Sequence, residues 1–419
     1  MLSFALHTDL YELTMAQVYF KEKKFGKAVF SLFVRKLPPN RNFLVSCGLE
    51  TLVERIQNFR FTDRELKYLK SLGIFEEDFL DYLESFSFSG DLYAIEEGRV
   101  VFQNEPMVQI EAPLIEAQML ETLVINTIHF QTLIASKAVR SFLVSQGKQL
   151  IDFGLRRAHG LEAGLYAARA SYVAGFAGTS NLEAGLRFGI PVFGTMAHSF
   201  VMIYEEEEEA FRAFAKVYPE RTILLIDTYD TIEGAKKAIK LMKEGYRVVG
   251  VRIDSGDLKT LSKEVRRLFD QEGFNHVKIV VSGGLDEYDI QDLLSSGCPI
   301  DAFGVGTKFI TSSDSPYLDI AYKLVEYEGK PKYKTSPGKA TFPYKRQVIR
   351  EYEGSLIKKD LVVRYKEGGL VKKIMEKGKL VESLPSLEKI KQTLMEDLKS
   401  LPDELKGLQK AHFTVEIID

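Results

Sequence analysis

Between residues 149 and 307 the chain repeats one local pattern seven times: a short, nearly continuous apolar run that closes on glycine or a polar residue. The runs are QLIDFG (149–154), VAGFAGT (173–179), PVFGT (191–195), TILLID (222–227), RVVGVRID (247–254), KIVVSGG (278–284) and IDAFGVGT (300–307). Helical patterns at 160–171, 230–243, 257–271 and 286–295 lie between them. Strands that are apolar without alternation are buried on both faces, and intervening helices supply the cover, so the pattern predicts an α/β fold with a parallel sheet. Asp227, Asp254, Gly283 and Gly306 follow one another at steps of 27, 29 and 23 residues, which suits βα units that nearly close into a barrel. A doubly wound open sheet satisfies the same periodicity.

The flanks follow a different grammar. Asp9 and Glu12 have the spacing of a capping box ahead of a helix over 9–22. A strand at 27–35, short helices between 48 and 86, and strands at 91–95, 99–102 and 107–111 suggest a small antiparallel or mixed sheet. A long helical pattern covers 115–145. After 318 the chain returns to strands and loops, with a basic stretch at 330–350 and a helical pair at 385–409. These shifts predict an N-terminal sheet and helix domain over 1–115, a βα catalytic domain over 116–318, and a segment 319–419 that rejoins the first.

Composition narrows the partners. Lys and Arg number 56 against 59 Asp and Glu, a net charge of −3, which offers no electrostatic footprint for nucleic acid. Cys47 and Cys298 are the only cysteines, so a disulfide framework and a four-cysteine zinc site are excluded and a reducing, cytoplasmic setting is expected. The least polar long segment, 122–136, contains Asn126, His129 and Gln131 and reads as a buried helix; no membrane partner is expected. The run Glu205–Glu209 reads as the solvated first turn of a helix, where negative charge suits the dipole.

Polar residues at the C-terminal ends of parallel strands are where such folds carry their chemistry. Ser282-Gly283-Gly284 and Gly304-Val305-Gly306-Thr307 are two successive turns whose backbone N–H groups, with the Thr307 hydroxyl, can converge on a phosphate. Arg252 and Asp254 share one side of a strand end; they can form a structural ion pair, or the guanidinium can take a planar carboxylate and the Asp sugar hydroxyls or a magnesium diphosphate. Phe153 stands beside Arg156 and Arg157, an aromatic platform next to two cations. His198 follows Gly194-Thr195; a lone His is more often structural, and an acid/base or nucleophilic role is the functional alternative. No P-loop and no glycine fingerprint after a first strand is present. Together these residues describe a site for a phosphorylated sugar and something flat.

The same residues resemble the nicotinate phosphoribosyltransferase family. The resemblance runs through TDLYELTM (8–15), FGLRRA (153–158), GTSN (178–181), GTMAHS (194–199), VRIDSGDL (251–258), SGGLDE (282–287) and FGVGTKF (303–309), with a looser match at SPGKATFPYKRQVIR (336–350). It implies an irregular βα barrel of the type II phosphoribosyltransferase kind, beside a sheet-containing α+β domain built from both chain ends. It implies a homodimer in which Tyr11 reaches the partner's site. Nicotinate would lie between Phe153 and Tyr11, its carboxylate on Arg252 and Thr195, with Ser180 nearby. The phosphate of 5-phosphoribosyl 1-diphosphate would sit on Ser282, Gly283, Gly284, Gly306 and Thr307. Arg156 and Arg157 would meet nicotinate or diphosphate, and Asp254 the ribose. His198 matches the histidine that the family phosphorylates from ATP. The implied reaction makes nicotinate mononucleotide and diphosphate, with magnesium as cofactor and ATP as co-substrate, in NAD biosynthesis.

Nicotinamide-specific relatives carry an Asp after the Gly-Thr of the second strand end, where this chain has Ser180, so nicotinate is the expected base. A quinolinate-decarboxylating relative would lack the His198 motif. A non-catalytic metabolite-binding relative would not need the joint presence of Tyr11, Arg252, Gly283, Thr307 and His198.

Overall fold

The computed structural model describes residues 3–334 and 341–418. The chain divides into two compact units, one of residues 1–136 with 317–419 and one of residues 137–316. The first division falls inside the helix Glu121–Val144 and not near 115, because the N-terminal half of that helix buries Leu123, Val124, Ile128 and Leu133 in the core of the first unit. Of the basic stretch 336–350, residues 336–340 lie outside the described residues.

The first unit holds a seven-stranded antiparallel sheet in the order Lys330–Pro331, Ile320–Tyr327, Lys27–Val34, Val108–Pro113, Asp91–Ile95, Val371–Glu376, Lys379–Leu380. The three strands from the N-terminal part of the chain form its centre, and strands from beyond residue 317 form both edges. Lys27–Val34 is buried from Ala28 onward, as its unbroken apolar run requires of a central strand. The helix Leu10–Lys21 starts at the Asp9–Glu12 capping box. The pattern over 115–145 is two helices, Leu114–Met119 and Glu121–Val144.

The second unit holds six strands, all parallel, in the order Gly178–Thr179, Gln149–Asp152, Ala302–Val305, Lys278–Val281, Gly250–Ile253, Ile223–Leu225. Two of the seven expected strands are cut back. Within 173–179 only Gly178–Thr179 is strand, because the helix Leu161–Val173 runs on through the buried Ala167, Ala168 and Ala170, and the chain turns at Gly175 with φ +109°. Within 191–195 only Val192 pairs, through one parallel bridge to Thr179. Pro191, Val192 and Gly194 are exposed, and proline gives no ladder donor.

Three successive helices after strands are capped by aspartates. Asp230 accepts from the amides of Ile232 (3.0 Å) and Glu233 (2.9 Å), Asp257 from Lys259 (3.1 Å) and Thr260 (3.4 Å), and Asp286 from Tyr288 (2.9 Å) and Asp289 (3.1 Å). The glutamate run is only partly solvated. The helix is Glu207–Val217, and Glu207 is buried with one oxygen 3.0 Å from Lys237 Nζ, so burial and a cation, not solvent, account for it. Among the described residues no helix is long and apolar enough to cross a membrane.

Candidate active site

The C-terminal ends of the parallel strands gather around Asp254. The strand Gly250–Ile253 delivers Arg252 and then Asp254, two residues apart and on one side, with Arg252 Nη1 3.7 Å from Asp254 Oδ1. Asp254 also accepts a short hydrogen bond from the buried Ser282 hydroxyl, so that hydroxyl is committed to orienting the carboxylate. From the next strand end, Asp227 Oδ2 accepts from the Asp254 amide (2.9 Å) and the Ser255 hydroxyl (2.7 Å). Asp227 Oδ1 is buried without a hydrogen-bond partner.

Arg252 is a largely covered cation with unused capacity. Its Nη2 donates to the Met196 carbonyl at 2.7 Å, its Nε is buried without a partner, and its side chain is only 12% exposed. Burial pulls its pKa down, against the pull of Asp254 and Asp227 and assisted by Arg156. The guanidinium carbon stands 6.0 Å from the centroid of the Phe153 ring. Thr195 reaches the same carbonyl of Met196 at 3.4 Å, which brings Thr195 beside Arg252. A carboxylate on a flat ring could therefore lie on Phe153 and complete the fork of Arg252. Gly304 is required behind that ring, since a Cβ there would run into Phe153.

His198 is the first residue of the helix His198–Met202. Its Nδ1 lies 3.1 Å from Thr228 Oγ1 and its Nε2 4.0 Å from Asp254 Oδ2. The ring is 40% exposed, oriented on one side and open on the other. Asp152 closes the Phe153 turn from beneath. It is buried, accepts from Thr179 Oγ1 (2.7 Å) and the Gly154 amide (2.7 Å), and burial pushes its carboxyl up to about 6.

The two glycine turns follow the neighbouring strands Lys278–Val281 and Ala302–Val305. Gly283 has φ +99° and Gly284 φ +70°, and a Cβ at Gly283 would collide with the Asp254 carbonyl, so only glycine fits there. The amides of Gly283, Gly284, Gly306 and Thr307 make no hydrogen bond among the described residues. They are available to an anion.

Most of the residues singled out in the sequence thus meet: Phe153, Thr195, His198, Arg252, Asp254 and Ser282 are linked by the contacts above, and Arg156 acts on Arg252 through its charge. Ser180 is half-buried and donates its amide to the Asp152 carbonyl at 2.8 Å. Arg157 is exposed on the turn Leu155–Arg157, and no contact ties it to the cluster among the described residues. Tyr11 belongs to the other unit, where it is 45% exposed; burial and the neighbouring Glu121 raise the pKa of its phenol. Asp227, Thr228 and Asp152 were not among the expected site residues. The signal for Asp227 was present, because it ends an apolar run as Asp254 does. No group of three or more His, Cys, Asp or Glu side chains could hold a metal among the described residues.

Family models match most of the chain. Residues 6–129 match the nicotinate phosphoribosyltransferase N-terminal domain, 148–353 the nicotinate phosphoribosyltransferase family and 347–415 its C-terminal domain. A nicotinate phosphoribosyltransferase of Mycobacterium tuberculosis is 46% identical over 98% of this chain and 90% of its own length. That of Bacillus subtilis is 40% identical over 97% and 91%. The crystal structure of human nicotinic acid phosphoribosyltransferase superposes with a TM-score of 0.88 at 27% identity, covering 98% of this chain and 97% of that one. A structure described as nicotinate-nucleotide pyrophosphorylase from Pyrococcus furiosus superposes at 0.78 with 26% identity, over 94% and 95%. With the strand-end cluster and these matches in agreement, the chain belongs to the nicotinate phosphoribosyltransferase family.

Proposed function

We propose that this chain joins nicotinate and 5-phosphoribosyl 1-diphosphate into nicotinate mononucleotide and diphosphate, a step of NAD salvage, and that ATP drives the reaction through a phosphorylated His198. The observation that carries the reading is Arg252. A largely covered guanidinium with a spare buried Nε donor, beside Thr195 and facing Phe153, suits the carboxylate of an aromatic acid. Neutral nicotinamide would offer the spare Nε donor no charged acceptor, which favours the acid.

The phosphate of the ribosyl donor is assigned to the free amides of Gly283, Gly284, Gly306 and Thr307. Asp254, held by Ser282 and the Asp227 brace, would face the ribose. As diphosphate departs, C1 gains cationic character and the ring nitrogen of nicotinate attacks from the Phe153 platform. The residues supply position and charge more than proton transfer. Asp227 and Asp254 fit magnesium in its usual manner, one or two carboxylates with substrate phosphates completing the shell, and the unpartnered Asp227 Oδ1 supports this. Bound there, the ion would neutralise charge on diphosphate.

The orientation of His198 supports the phosphohistidine. In the tautomer that donates Nδ1–H to Thr228, Nε2 would keep its lone pair on the open side as the nucleophilic nitrogen. Closure of the parallel sheet as an irregular βα barrel is supported by the same ring: His198 follows the Val192 edge and touches Thr228, which follows the Ile223–Leu225 edge. A homodimer is supported by exposed apolar side chains, Leu161, Leu182 and Leu186 in one unit and Leu10, Tyr11 and Val18 in the other. Tyr11 would complete the nicotinate sandwich across that dimer.

The test is competition between bases. With phosphoribosyl diphosphate and magnesium, the purified chain is expected to consume nicotinate in preference to nicotinamide; turnover of nicotinamide alone contradicts the assignment.

A further inference from the structure

One side chain ties the two glycine turns together. Lys308 lies in the short helix Thr307–Ile310 that follows Gly306, and its Nζ is 3.0 Å from Asp286 Oδ2 and 2.9 Å from Asp289 Oδ2. Both aspartates belong to the start of the helix Glu287–Ser295, which follows the Gly283–Gly284 turn. That helix start is closed by its own side chains: Asp286 accepts from the amides of Tyr288 and Asp289, and Asp289 Oδ2 accepts from the Asp286 amide at 2.9 Å. Its N-terminus is therefore spent on capping, and the free amides are those of the turns. A second tie runs on the buried side, where Lys137 Nζ is 2.7 Å from Glu287 and 2.9 Å from Asp314, beyond the other turn. Arg140 also holds Glu287, at 2.7 Å.

Lys308 is outnumbered by the two carboxylates it bridges, so the trio is net negative and is not an anion site. We propose that Lys308 is a positioning residue: by holding Asp286 and Asp289 it sets the spacing of the two turns, and with it the aim of the Gly283, Gly284, Gly306 and Thr307 amides at the phosphate of the ribosyl donor. The inference rests on the phosphate assignment made above.

Calorimetric titration of the full chain with phosphoribosyl diphosphate and magnesium tests it directly, since binding is read without turnover; the KM for each substrate is measured alongside. Lys308→Met is expected to weaken donor binding about tenfold, the scale of a small misplacement of binding groups, with the KM for nicotinate unchanged and Lys308→Arg restoring most of the loss. Asp289→Asn separates a strut from a charge lure, and serves equally should Lys308→Met fail to fold. A strut loses donor affinity in that variant, whereas a lysine that attracts the phosphate gains it. Tighter binding in Asp289→Asn, or unchanged binding in Lys308→Met, overturns the proposal. Product formation by the parent chain tests the functional reading separately: an active parent whose Lys308 variants bind normally refutes only the role of Lys308, and a parent that does not bind the donor refutes both.

Discussion

His198 and Asp254 come from different strand ends and stand with Nε2 4.0 Å from Oδ2, while Thr228 holds the other ring nitrogen at 3.1 Å. At 4.0 Å the pair is close enough for charge to matter and too far for a hydrogen bond, so Thr228 orients the ring and Asp254 shapes its field. His198→Ala is expected to keep nicotinate binding and ATP-independent synthesis while losing stimulation by ATP. Initial rates with and without ATP check this, and a variant still stimulated like the parent rules out the phosphohistidine.

Arg252 offers a sharper test of the base pocket. Charge-assisted hydrogen bonds contribute roughly 1.5–3 kcal/mol, so Arg252→Ala should lower kcat/KM for nicotinate at least about tenfold. Arg252→Lys keeps the charge but not the planar fork, and should recover only part of the loss. The preference for nicotinate over nicotinamide should shrink in both; if it stays intact, the carboxylate is read elsewhere.

Asp152 makes a prediction about pH. Burial raises its carboxyl to about 6, against the opposing hydrogen bonds from Thr179 and Gly154. A carboxyl with a higher pKa folded than unfolded takes its proton preferentially in the folded chain, so stability falls as pH rises between about 4 and 6 and stays lower above. The size is roughly 3 kcal/mol. Asp152→Asn does not titrate, and its Tm relative to the parent should climb from pH 4 to pH 7. A constant offset across that range contradicts the raised pKa.

Arg350 separates stability from catalysis. Its guanidinium is buried in the first unit, with Nη2 2.6 Å from Asp360 Oδ2, Nη1 3.4 Å from Asp397 Oδ2 and Nη2 donating to the Val100 carbonyl at 2.8 Å. Glu105 is buried beside them, and burial followed by Asp360 holds its carboxyl well above the usual range. Arg350→Met strands these acids, at a cost of about 3–5 kcal/mol. The melting temperature should fall clearly while kcat at a permissive temperature is unchanged; an unaltered melting curve contradicts the inferred role of the cation.

The apolar runs made the parallel strands legible, and their polar endings made most of the cluster legible, because in a sheet covered on both faces the C-terminal strand ends are where side chains reach a ligand. The segment 191–195 misled because Pro191 and its exposed neighbours satisfy an apolar pattern without being able to extend a ladder. Asp227 was legible as a strand end but not as a brace, since its bonds to the Asp254 amide and Ser255 depend on two strands lying side by side. The next aspartates along, Asp230 and Asp257, follow Asp227 and Asp254 by three residues and only cap helices. Sequence spacing alone does not separate the two roles. Glu207 was hidden inside a charged run, because its burial depends on Lys237 from the following helix.

The most direct test of the proposed synthesis is product analysis with nicotinate, phosphoribosyl diphosphate and magnesium, with and without ATP. Nicotinate mononucleotide and diphosphate are expected in both reactions, with a higher yield and ATP consumption when ATP is present. Failure to form nicotinate mononucleotide under either condition would contradict it.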